Sequence, residues 1–358
     1  MNDIKNEVLR SIWEDRYRKN GETLEENYRR VAKYVASNSA EEEEFFEVIS
    51  EGMFLPAGRT MSNSGIGENL TLNNCFTAPQ VPDDLSSIFD SVKLGAITHK
   101  AGGGIGYDFS KIRPAGQPTS NDAIASGPVS FMEVFNTQTS TILQGNRRGA
   151  NMGVLNVYHP DIESFITAKT QQGKFEHFNL SVMVDDAFMK AVESDSDVFL
   201  HFPVYDNNGK IENDKNKWKV YKSVRAKSLW DKIMRLAYDN GEPGIFFYDN
   251  MNKDNNLFYA ENIVCSNPCS EYLAGTVYNV ENPSEYGGAC NLGSLILPNF
   301  VINPFTVNAT IDAGKLIRAI RIGVRMLDNI IDINKFPHKI YENYQKRFRT
   351  IGLIYWVN

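Results

Sequence analysis

The sequence has few of the residues that hold small secreted or metal-stabilised domains together. It contains four cysteines and five histidines among 358 residues. Residues 1–5 are polar and start no secretory signal, so we expect a cytoplasmic chain with reduced thiols. Cys265 and Cys269 are four residues apart, but no second close Cys or His pair completes a zinc finger. The sequence therefore predicts no metal site.

Other absences exclude whole classes of protein. No apolar run reaches the ~18 residues that a membrane-spanning helix needs. A formal net charge of -7 argues against a broad nucleic-acid-binding face, which requires an excess of basic residues. The sequence has no convincing internal repeat and no long low-complexity linker. With 42% hydrophobic residues, it is typical of an enzyme with one large α/β unit or two domains.

Periodicity divides the chain into a helical start and a longer α/β region. Residues 23–26 form a capping box, and apolar residues follow at helical spacing. We therefore predict a helical N-terminal segment at 1–52 and a second domain at 53–358. In the second domain, strand-like runs such as 179–184 alternate with amphipathic helices such as 229–240. This alternation favours an α/β fold with a largely parallel sheet.

The most informative stretch is Asn267-Pro268-Cys269-Ser270-Glu271. In an extended segment, residues two apart project to the same side, so Asn267, Cys269 and Glu271 would share one face. They would present an amide, a sulfur capable of one-electron chemistry and a proton acceptor, a set that can act on a diol-bearing substrate. From composition alone, the cysteines are core residues, a zinc site or redox-active thiols, and these neighbours favour redox activity.

Two glycine-rich loops are candidates for ligand contact. The loop at 100–109 lacks the spacing of a dinucleotide fingerprint or a P-loop, so ligand contact and a plain tight turn both remain open. The loop at 144–153 places Arg147 and Arg148 between glycines. Their planar donor groups suit a phosphate or a base edge, and the alternative is a solvated turn.

Several motifs occur together in one order along the chain. They are Leu72–Cys75, Gly102–Arg113, Ser126–Phe131, Gln144–Gly153, Asn267–Glu271, Cys290–Leu295 and Thr350–Leu353. With them, the chain from about residue 10 to residue 353 resembles the large catalytic subunit of ribonucleotide reductase, most closely the adenosylcobalamin-dependent class. The class that takes its radical from a separate small subunit is the near alternative. The resemblance implies N-terminal helices, then roughly the first half of a ten-stranded α/β barrel with a catalytic finger loop.

The resemblance also implies an activity, the reduction of ribonucleotides to 2'-deoxyribonucleotides for DNA synthesis by thiyl-radical chemistry. Cys269 matches the cysteine that abstracts the ribose 3'-hydrogen. Glu271 matches the general base at the 3'-hydroxyl, and Asn267 matches the amide that holds the ribose hydroxyls. Cys75 and Cys290 match the pair that ends as a redox-active disulfide. The fold must then bring their Cα atoms within roughly 4.4 to 6.8 Å.

Binding roles follow from the same resemblance. Asn74, Gly104 and Arg148 fall where the family contacts substrate. Asp83 and Arg113 fall where it contacts an allosteric deoxynucleotide effector, whose coupling to the substrate is typically worth about 1 to 3 kcal/mol. The cofactor implied is adenosylcobalamin, which contains cobalt. The partners implied are a ribonucleotide and a thioredoxin-like reductant, and a homodimer stays open. We expect no ATP-binding cone at the short N-terminus.

The chain also departs from the family, whose members are much longer. It stops soon after Thr350–Leu353, before the second half of the barrel, the substrate phosphate loop and the C-terminal cysteine pair. Whether the substrate is a diphosphate or a triphosphate therefore stays open. We expect the first fragment of an interrupted gene, with 354–358 as read-through sequence and a second polypeptide as partner. Alone, the chain should have little or no turnover.

Two further hypotheses remain from the sequence. The first is a catalytically inactive remnant that still binds deoxynucleotides through Asp83, Arg113 and the arginine loop at 144–153. The second is a glycyl-radical enzyme, which would need a glycyl-radical motif near its C-terminus; the Cys75 and Cys290 pair speaks against most members of that group. Cys265 matches no catalytic position of the reductase family and is expected to be a core thiol.

Overall fold

The computed structural model describes residues 7–67, 70–119, 123–144, 147–204, 217–278 and 280–356. The helices are α1 (Glu7–Arg16), α2 (Leu24–Val35), α3 (Ser39–Ser50), α4 (Gly58–Asn63), α5 (Leu85–Lys100), α6 (Pro128–Thr141), α7 (Ile162–Ile166), α8 (Asp186–Glu193), α9 (Ala226–Asn240), α10 (Tyr248–Lys253), α11 (Ala313–Ile333) and α12 (Lys339–Phe348). The strands are β1 (Phe54–Pro56), β2 (Cys75–Thr77), β3 (Gly104–Asp108), β4 (Leu143–Gln144), β5 (Arg147–Arg148), β6 (Asn151–Asn156), β7 (Phe178–Val184), β8 (Asp197–Phe202), β9 (Lys219–Arg225), β10 (Gly244–Phe247), β11 (Glu261–Ser266), β12 (Leu273–Val277), β13 (Ala289–Ile296), β14 (Val301–Ile302), β15 (Thr310–Ile311) and β16 (Ile351–Trp356).

The chain folds into two compact units. The first unit consists of Met1–Phe76, Ala101–Gly103 and Ala289–Asn358. The second unit consists of Thr77–Lys100 and Gly104–Gly288. The domain boundary that we place after residue 52 stays a prediction.

The first unit is built on helices that begin where the sequence indicates. Thr23 caps α2 and accepts the backbone N–H of Glu26, whose side chain accepts the Thr23 N–H in return, which confirms the predicted capping box. The long helix α11 buries one apolar stripe that includes Met326, Leu327 and Ile330. This stripe joins apolar residues of α2, α3 and β1 in one hydrophobic core. Burial of this apolar area is the main stabilisation of the helical segment.

Strand β13 is the centre of the first unit's sheet. It pairs antiparallel with β1 over Gly293–Leu295 and with β2 over Ala289–Cys290. On the other side it pairs parallel with β16, where Asn291 faces Ile351. This mixed pairing brings the segment around Cys75 to the segment around Cys290.

The second unit contains four consecutive parallel strands. Strand β3 pairs with β6, β6 with β7, and β7 with β10, all in parallel register. The predicted strand at 179–184 and the predicted helix at 229–240 are confirmed as β7 and α9. Among the described residues, this unit also contains the antiparallel pairs β4–β5, β8–β9 and β11–β12. Within the described residues, no helix is both long and apolar enough to cross a membrane.

Candidate active site

The segment with the most informative sequence forms the loop of the β11–β12 hairpin. The backbone N–H of Asn267 donates to the Tyr272 carbonyl at 3.0 Å, and the Asn267 side-chain oxygen accepts the Tyr272 N–H at 3.0 Å. The Asn267 carbonyl also accepts the backbone N–H of Ser270 at 3.1 Å. These bonds close the loop tightly, with Asn267 buried and Cys269 and Glu271 exposed at its tip.

The prediction that this segment is extended is wrong. Residues 268–272 form turns and bends, and Ser270 has a φ of 68° in the left-handed region. A chain that reverses direction within a few residues cannot keep the alternation of an extended strand, so Asn267, Cys269 and Glu271 do not share one face in that way. Instead, the buried Asn267 closes the loop and the other two residues lie on its exposed part.

The tip of the hairpin packs against the amino ends of the parallel strands. A Cβ atom at Gly104, the first residue of β3, would lie 2.9 Å from the Pro268 ring carbon Cγ. A Cβ atom at Gly106 would collide with the carbonyl oxygen of Ser266. Asn179, near the start of β7, donates its side-chain Nδ2 to the Pro268 carbonyl at 2.6 Å. Glycine at 104 and 106 therefore has a structural reason, close approach of the hairpin.

Cys75 and Cys290 are brought together within the first unit. They are direct register partners on the antiparallel strands β2 and β13. Directly opposed residues in such a ladder have Cα atoms about 4.5 to 5.5 Å apart, within the range that a disulfide requires. The prediction that the fold brings the two cysteines close together is thus confirmed, although both are thiols in this structure. Each is nearly inaccessible, with 3% of Cys75 and 2% of Cys290 exposed.

A buried amide and a partly buried hydroxyl fix the two strands that carry this pair. The Asn334 side-chain oxygen accepts the Leu72 N–H at 2.7 Å, and its Nδ2 donates to the Asn73 side chain at 3.2 Å. On the other strand, Thr350 Oγ1 donates to the Ala289 carbonyl at 2.7 Å, next to Cys290. The positions of the two cysteines therefore depend on residues that are distant in the chain. Sequence reasoning missed Asn334, because nothing around it marks it as an organising residue.

Cys265 is a core thiol, as the sequence analysis expects. It is 1% exposed and packs in a hydrophobic cluster with Met152, Val154 and Phe246. Burial, with a smaller contribution from Asp108, raises the pKa of the Cys265 thiol well above its usual range. Such a thiol is a poor nucleophile and a poor metal ligand. In the part of the chain that the structure describes, no group of three His, Cys, Asp or Glu residues could hold a metal ion.

Asp83 and Arg113, the two predicted effector residues, bind each other. Arg113 donates its Nε to Asp83 Oδ2 at 2.7 Å and its backbone N–H to Asp83 Oδ1 at 3.0 Å. The carboxylate is nearly buried, with 7% of the Asp83 side chain exposed, whereas 23% of the Arg113 side chain is exposed. The pair joins the start of α5 to the loop after β3.

Asn74 and Arg148 are the other two residues predicted to contact substrate. Asn74 is partly buried directly before Cys75, and its side-chain oxygen is buried without a hydrogen-bond partner among the described residues. Arg148 lies on β5, which pairs antiparallel with β4, and its side chain is outside the described part of the structure, as are Gly145 and Asn146 of the same loop. The arginine loop is therefore placed by its backbone alone.

A cavity that the sequence did not indicate lies in the second unit. Its volume is about 610 Å³, and its lining includes Asp108, Asn156 and Val184, at the carboxyl ends of β3, β6 and β7. Ligands commonly bind at this edge of a parallel sheet. Several of its polar groups are already bonded to one another: Tyr158 donates to Asp185 at 2.7 Å. The hairpin tip with Cys269 lies instead at the amino ends of the strands.

Comparisons with known proteins agree with this arrangement. Residues 7–69 match the all-alpha domain of ribonucleotide reductase, and residues 73–354 match its barrel domain. A vitamin B12-dependent ribonucleoside-diphosphate reductase of Thermoplasma acidophilum is 37% identical over 314 residues, which cover 86% of this chain and 37% of the relative. Its Mycobacterium tuberculosis counterpart is 35% identical over 341 residues, covering 93% and 45%.

A ribonucleoside-diphosphate reductase large subunit of vaccinia virus is also similar, with 31% identity over 327 residues, 87% of this chain and 41% of the relative. The chain spans less than half the length of these relatives. The domain matches confirm the predicted helical N-terminal segment followed by part of an α/β barrel. On the evidence of its fold and these matches, the chain belongs to the ribonucleotide reductase large-subunit family.

Proposed function

We propose that this chain carries the thiol chemistry of a reductase that converts ribonucleotides to 2'-deoxyribonucleotides. The observation that supports the proposal most directly is the cross-strand register of Cys75 and Cys290, because directly opposed strand residues have Cα atoms within the span that a disulfide bridges. The names of the relatives, which are diphosphate reductases, favour a ribonucleoside diphosphate as substrate.

Each thiol has a separate task in the proposed reaction. Cys269, as a thiyl radical, takes the hydrogen atom from the ribose C3' and becomes a thiol again. The radical left at C3' permits loss of the 2'-hydroxyl as water, with Cys75 supplying the proton. Cys75 and Cys290 then give up two electrons and form a disulfide, and the second of their two thiol hydrogens goes to C2'. Cys269 returns its hydrogen atom to C3'. In sum, one ribonucleotide and two thiols give one deoxyribonucleotide, one water and one disulfide.

Glu271 and Asn267 support this reaction from the same loop. The exposed Glu271 carboxylate accepts the proton of the 3'-hydroxyl as general base. The Asn267 side-chain oxygen accepts the Tyr272 N–H, which holds the amide in a fixed place within the loop, and this amide is the proposed contact for the ribose hydroxyls. The other proposed substrate contacts are Asn74, Gly104 and Arg148. The buried side-chain oxygen of Asn74 has no hydrogen-bond donor among the described residues.

The proposed radical source is adenosylcobalamin, in agreement with the names of the relatives. The exposure of Cys269 fits such a group, since a thiol that exchanges a hydrogen atom with a bound cofactor must be accessible at the protein surface. When bound, adenosylcobalamin would supply an organic radical to the thiol.

We further propose that Asp83 and Arg113 form one wall of the deoxynucleotide effector site. Arg113 is the more exposed partner, and a phosphate or a sugar hydroxyl that binds there would compete with the Asp83 carboxylate. The reductant for the disulfide would be a thioredoxin-like dithiol, and a homodimer is consistent with the family. The rest of the barrel would come from further polypeptide, on this chain or on a second one.

The test is a reductase assay with the whole barrel present. The chain is combined with a polypeptide that carries the C-terminal half of a relative, adenosylcobalamin, dithiothreitol and a labelled ribonucleoside diphosphate. We expect deoxynucleotide formation that a Cys269→Ser variant abolishes while effector binding is unchanged. No product with both halves and the cofactor present would contradict the proposal, as would full activity of the Cys269→Ser variant.

A further inference from the structure

The residue that holds the hairpin tip from outside is Asn179. We propose that Asn179 is a positioning residue for Cys269: its side-chain amide fixes the peptide plane that leads into the cysteine. The hydrogen bond from Asn179 Nδ2 to the Pro268 carbonyl measures 2.6 Å and joins residues that are far apart in the chain. The inference deepens the proposed function, on which its catalytic consequence rests.

The geometry of a peptide explains why a bond to Pro268 acts on Cys269. The carbonyl of Pro268, the nitrogen of Cys269 and its Cα atom lie in one plane because the peptide bond has partial double-bond character. A donor that fixes the carbonyl oxygen therefore also fixes the direction in which the Cys269 Cα is presented. The Pro268 ring, packed against Gly104, restrains the other side of the same residue.

Two sets of bonds within the loop lie on either side of the Pro268–Cys269 peptide. They join Asn267 to Tyr272 and to Ser270. The Asn179 amide is thus a bond to that peptide from a different element, the parallel strand β7.

The β7 backbone is held on both sides of Asn179, so the Asn179 side chain binds the Pro268 carbonyl from a fixed position. Lys169 donates its Nζ to the Phe178 carbonyl at 2.5 Å and pairs with Glu242 at 2.7 Å. The other oxygen of Glu242 accepts the Leu180 N–H at 3.0 Å. The residues on both sides of Asn179 are therefore tied to one ion pair, and the β7 backbone is fixed further by its ladder with β6.

Loss of the Asn179 hydrogen bond would change the orientation of the Cys269 thiol. Asn179 touches the backbone of the loop and not the reacting atoms, so its effect passes through the direction of the Cys269 thiol. Hydrogen-atom transfer needs donor and acceptor in a narrow range of distance and angle, and a misplacement of about 1 Å can cost on the order of 100-fold in rate.

The first experiment reads the position of Cys269 without turnover. Cys269 is the exposed cysteine, whereas the other three are buried, so a trifluoroacetonyl label on its sulfur is selective. The fluorine NMR spectrum of the labelled full chain is compared with those of Asn179→Ala, Asn179→Asp and Asn179→Gln. We expect one narrow resonance for the native chain. Asn179→Ala should give a shifted or multiple resonance, and so should Asn179→Asp, because the carboxylate has the same shape as the amide but cannot donate a hydrogen bond. Gln keeps a donor and should restore the native spectrum in part.

The matched control is Asn252→Ala. Asn252 also binds hairpin backbone through its side-chain amide, donating to the Ile263 carbonyl at 3.0 Å and accepting the Ile263 N–H at 2.8 Å, but at the base of the hairpin. We expect the label spectrum of this variant to stay native. A native spectrum for Asn179→Asp, or equal changes for Asn252→Ala and Asn179→Ala, would overturn the inference. Urea unfolding midpoints identify a variant that fails to fold. If Asn179→Ala does not fold, the label spectra of Asn179→Asp and Asn179→Gln decide whether the inference holds.

The second experiment measures turnover with both halves of the barrel. Asn179→Asp should lower kcat on the order of 100-fold and leave KM within about twofold, because the contact orients the thiol and does not bind substrate. An unchanged kcat together with a changed label spectrum would overturn the catalytic part of the inference. Absence of turnover in the native assembly would instead contradict the proposed function, while the label spectra would still test the positioning role.

Discussion

Cys75 and Cys290 face each other across two adjacent antiparallel strands, although they lie in distant parts of the sequence. Their strands are fixed by separate contacts, a buried one from Asn334 to the segment before Cys75 and a partly buried one from Thr350 to the Ala289 carbonyl. The pair is thus built into the sheet and shielded from solvent.

Mild oxidation should join these two cysteines. Treatment of the chain with diamide is expected to give one intramolecular disulfide between Cys75 and Cys290, because directly opposed strand residues have Cα atoms within the span that a disulfide bridges. Peptide mapping by mass spectrometry would show it. Cys265 faces Ala274 and not a cysteine across its strand ladder, so it should remain reduced and serves as the internal control. A main product that links Cys265 or Cys269 to either member would contradict the prediction.

Replacing Asn334 by alanine should destabilise the chain. The buried Leu72 N–H would lose its acceptor and the Asn73 side chain its donor, and an orphaned buried donor costs about 1 to 3 kcal/mol. The measurement is the urea unfolding midpoint, and the diamide product above should form more slowly. Asn299→Ala is the matched control, since Asn299 makes an exposed bond to the Gly52 carbonyl and should cost much less. Equal losses for the two variants would refute the argument from burial.

A methyl group at Gly104 should displace the hairpin tip. The added Cβ would lie 2.9 Å from Pro268 Cγ and 3.2 Å from Cδ, so the ring or the strand must move, at a cost of about 1 to 3 kcal/mol. The alkylation rate of Cys269 should change with it. Gly314→Ala is the control, because its added Cβ meets Asp312 at an ordinary 3.5 Å. An unchanged alkylation rate and midpoint for Gly104→Ala would leave substrate contact as the remaining reason for glycine there.

His99 should make the folded chain less stable as the pH falls. Burial is the main cause that lowers the pKa of His99 from 6.5 to about 4. The unfolded chain therefore takes up a proton below about pH 6.5 while the folded chain resists until about pH 4. Stability is lost across that window, on the order of 3 kcal/mol from this group. The sign follows because the unfolded state binds more protons there.

The measurement is the urea midpoint of the native chain and of His99→Gln at several pH values between 4 and 7. His159 is also buried, its pKa is lowered mainly by burial, and it adds to the same slope in both proteins. The difference between the two curves therefore isolates His99. A difference that does not vary with pH would show that His99 is not held neutral in the fold.

Local patterns in the sequence were enough to predict local structure. The capping box at Thr23 and the amphipathic pattern at 229–240 predicted helices that the structure contains, because caps and 3.6-residue periodicity depend on near neighbours. The strand-like run at 179–184 predicted β7 for the same reason. Residue identity also marked Cys269 as the thiol for chemistry, because an amide (Asn267) and a carboxylate (Glu271) flank it, whereas Cys265 matches no catalytic position of the family.

The loop around Cys269 shows where local reasoning failed. Residues two apart were expected on one face, but the hairpin bonds of Asn267 to Tyr272 and the left-handed Ser270 reverse the chain there. The choice between an extended segment and a turn depended on the pairing of β11 with β12, which no local pattern specifies.

The sequence by itself determined the helices and strands, the order of the motifs, the thiols available for chemistry and, through its matches, the family. Only the tertiary structure decided that Cys75 meets Cys290, that Asp83 holds Arg113, and that Asn179 binds the peptide before Cys269. The physical reason is that such contacts follow from strand register and packing over long sequence separations. Those are properties of the whole sheet, whereas caps and periodicity are properties of a few neighbouring residues.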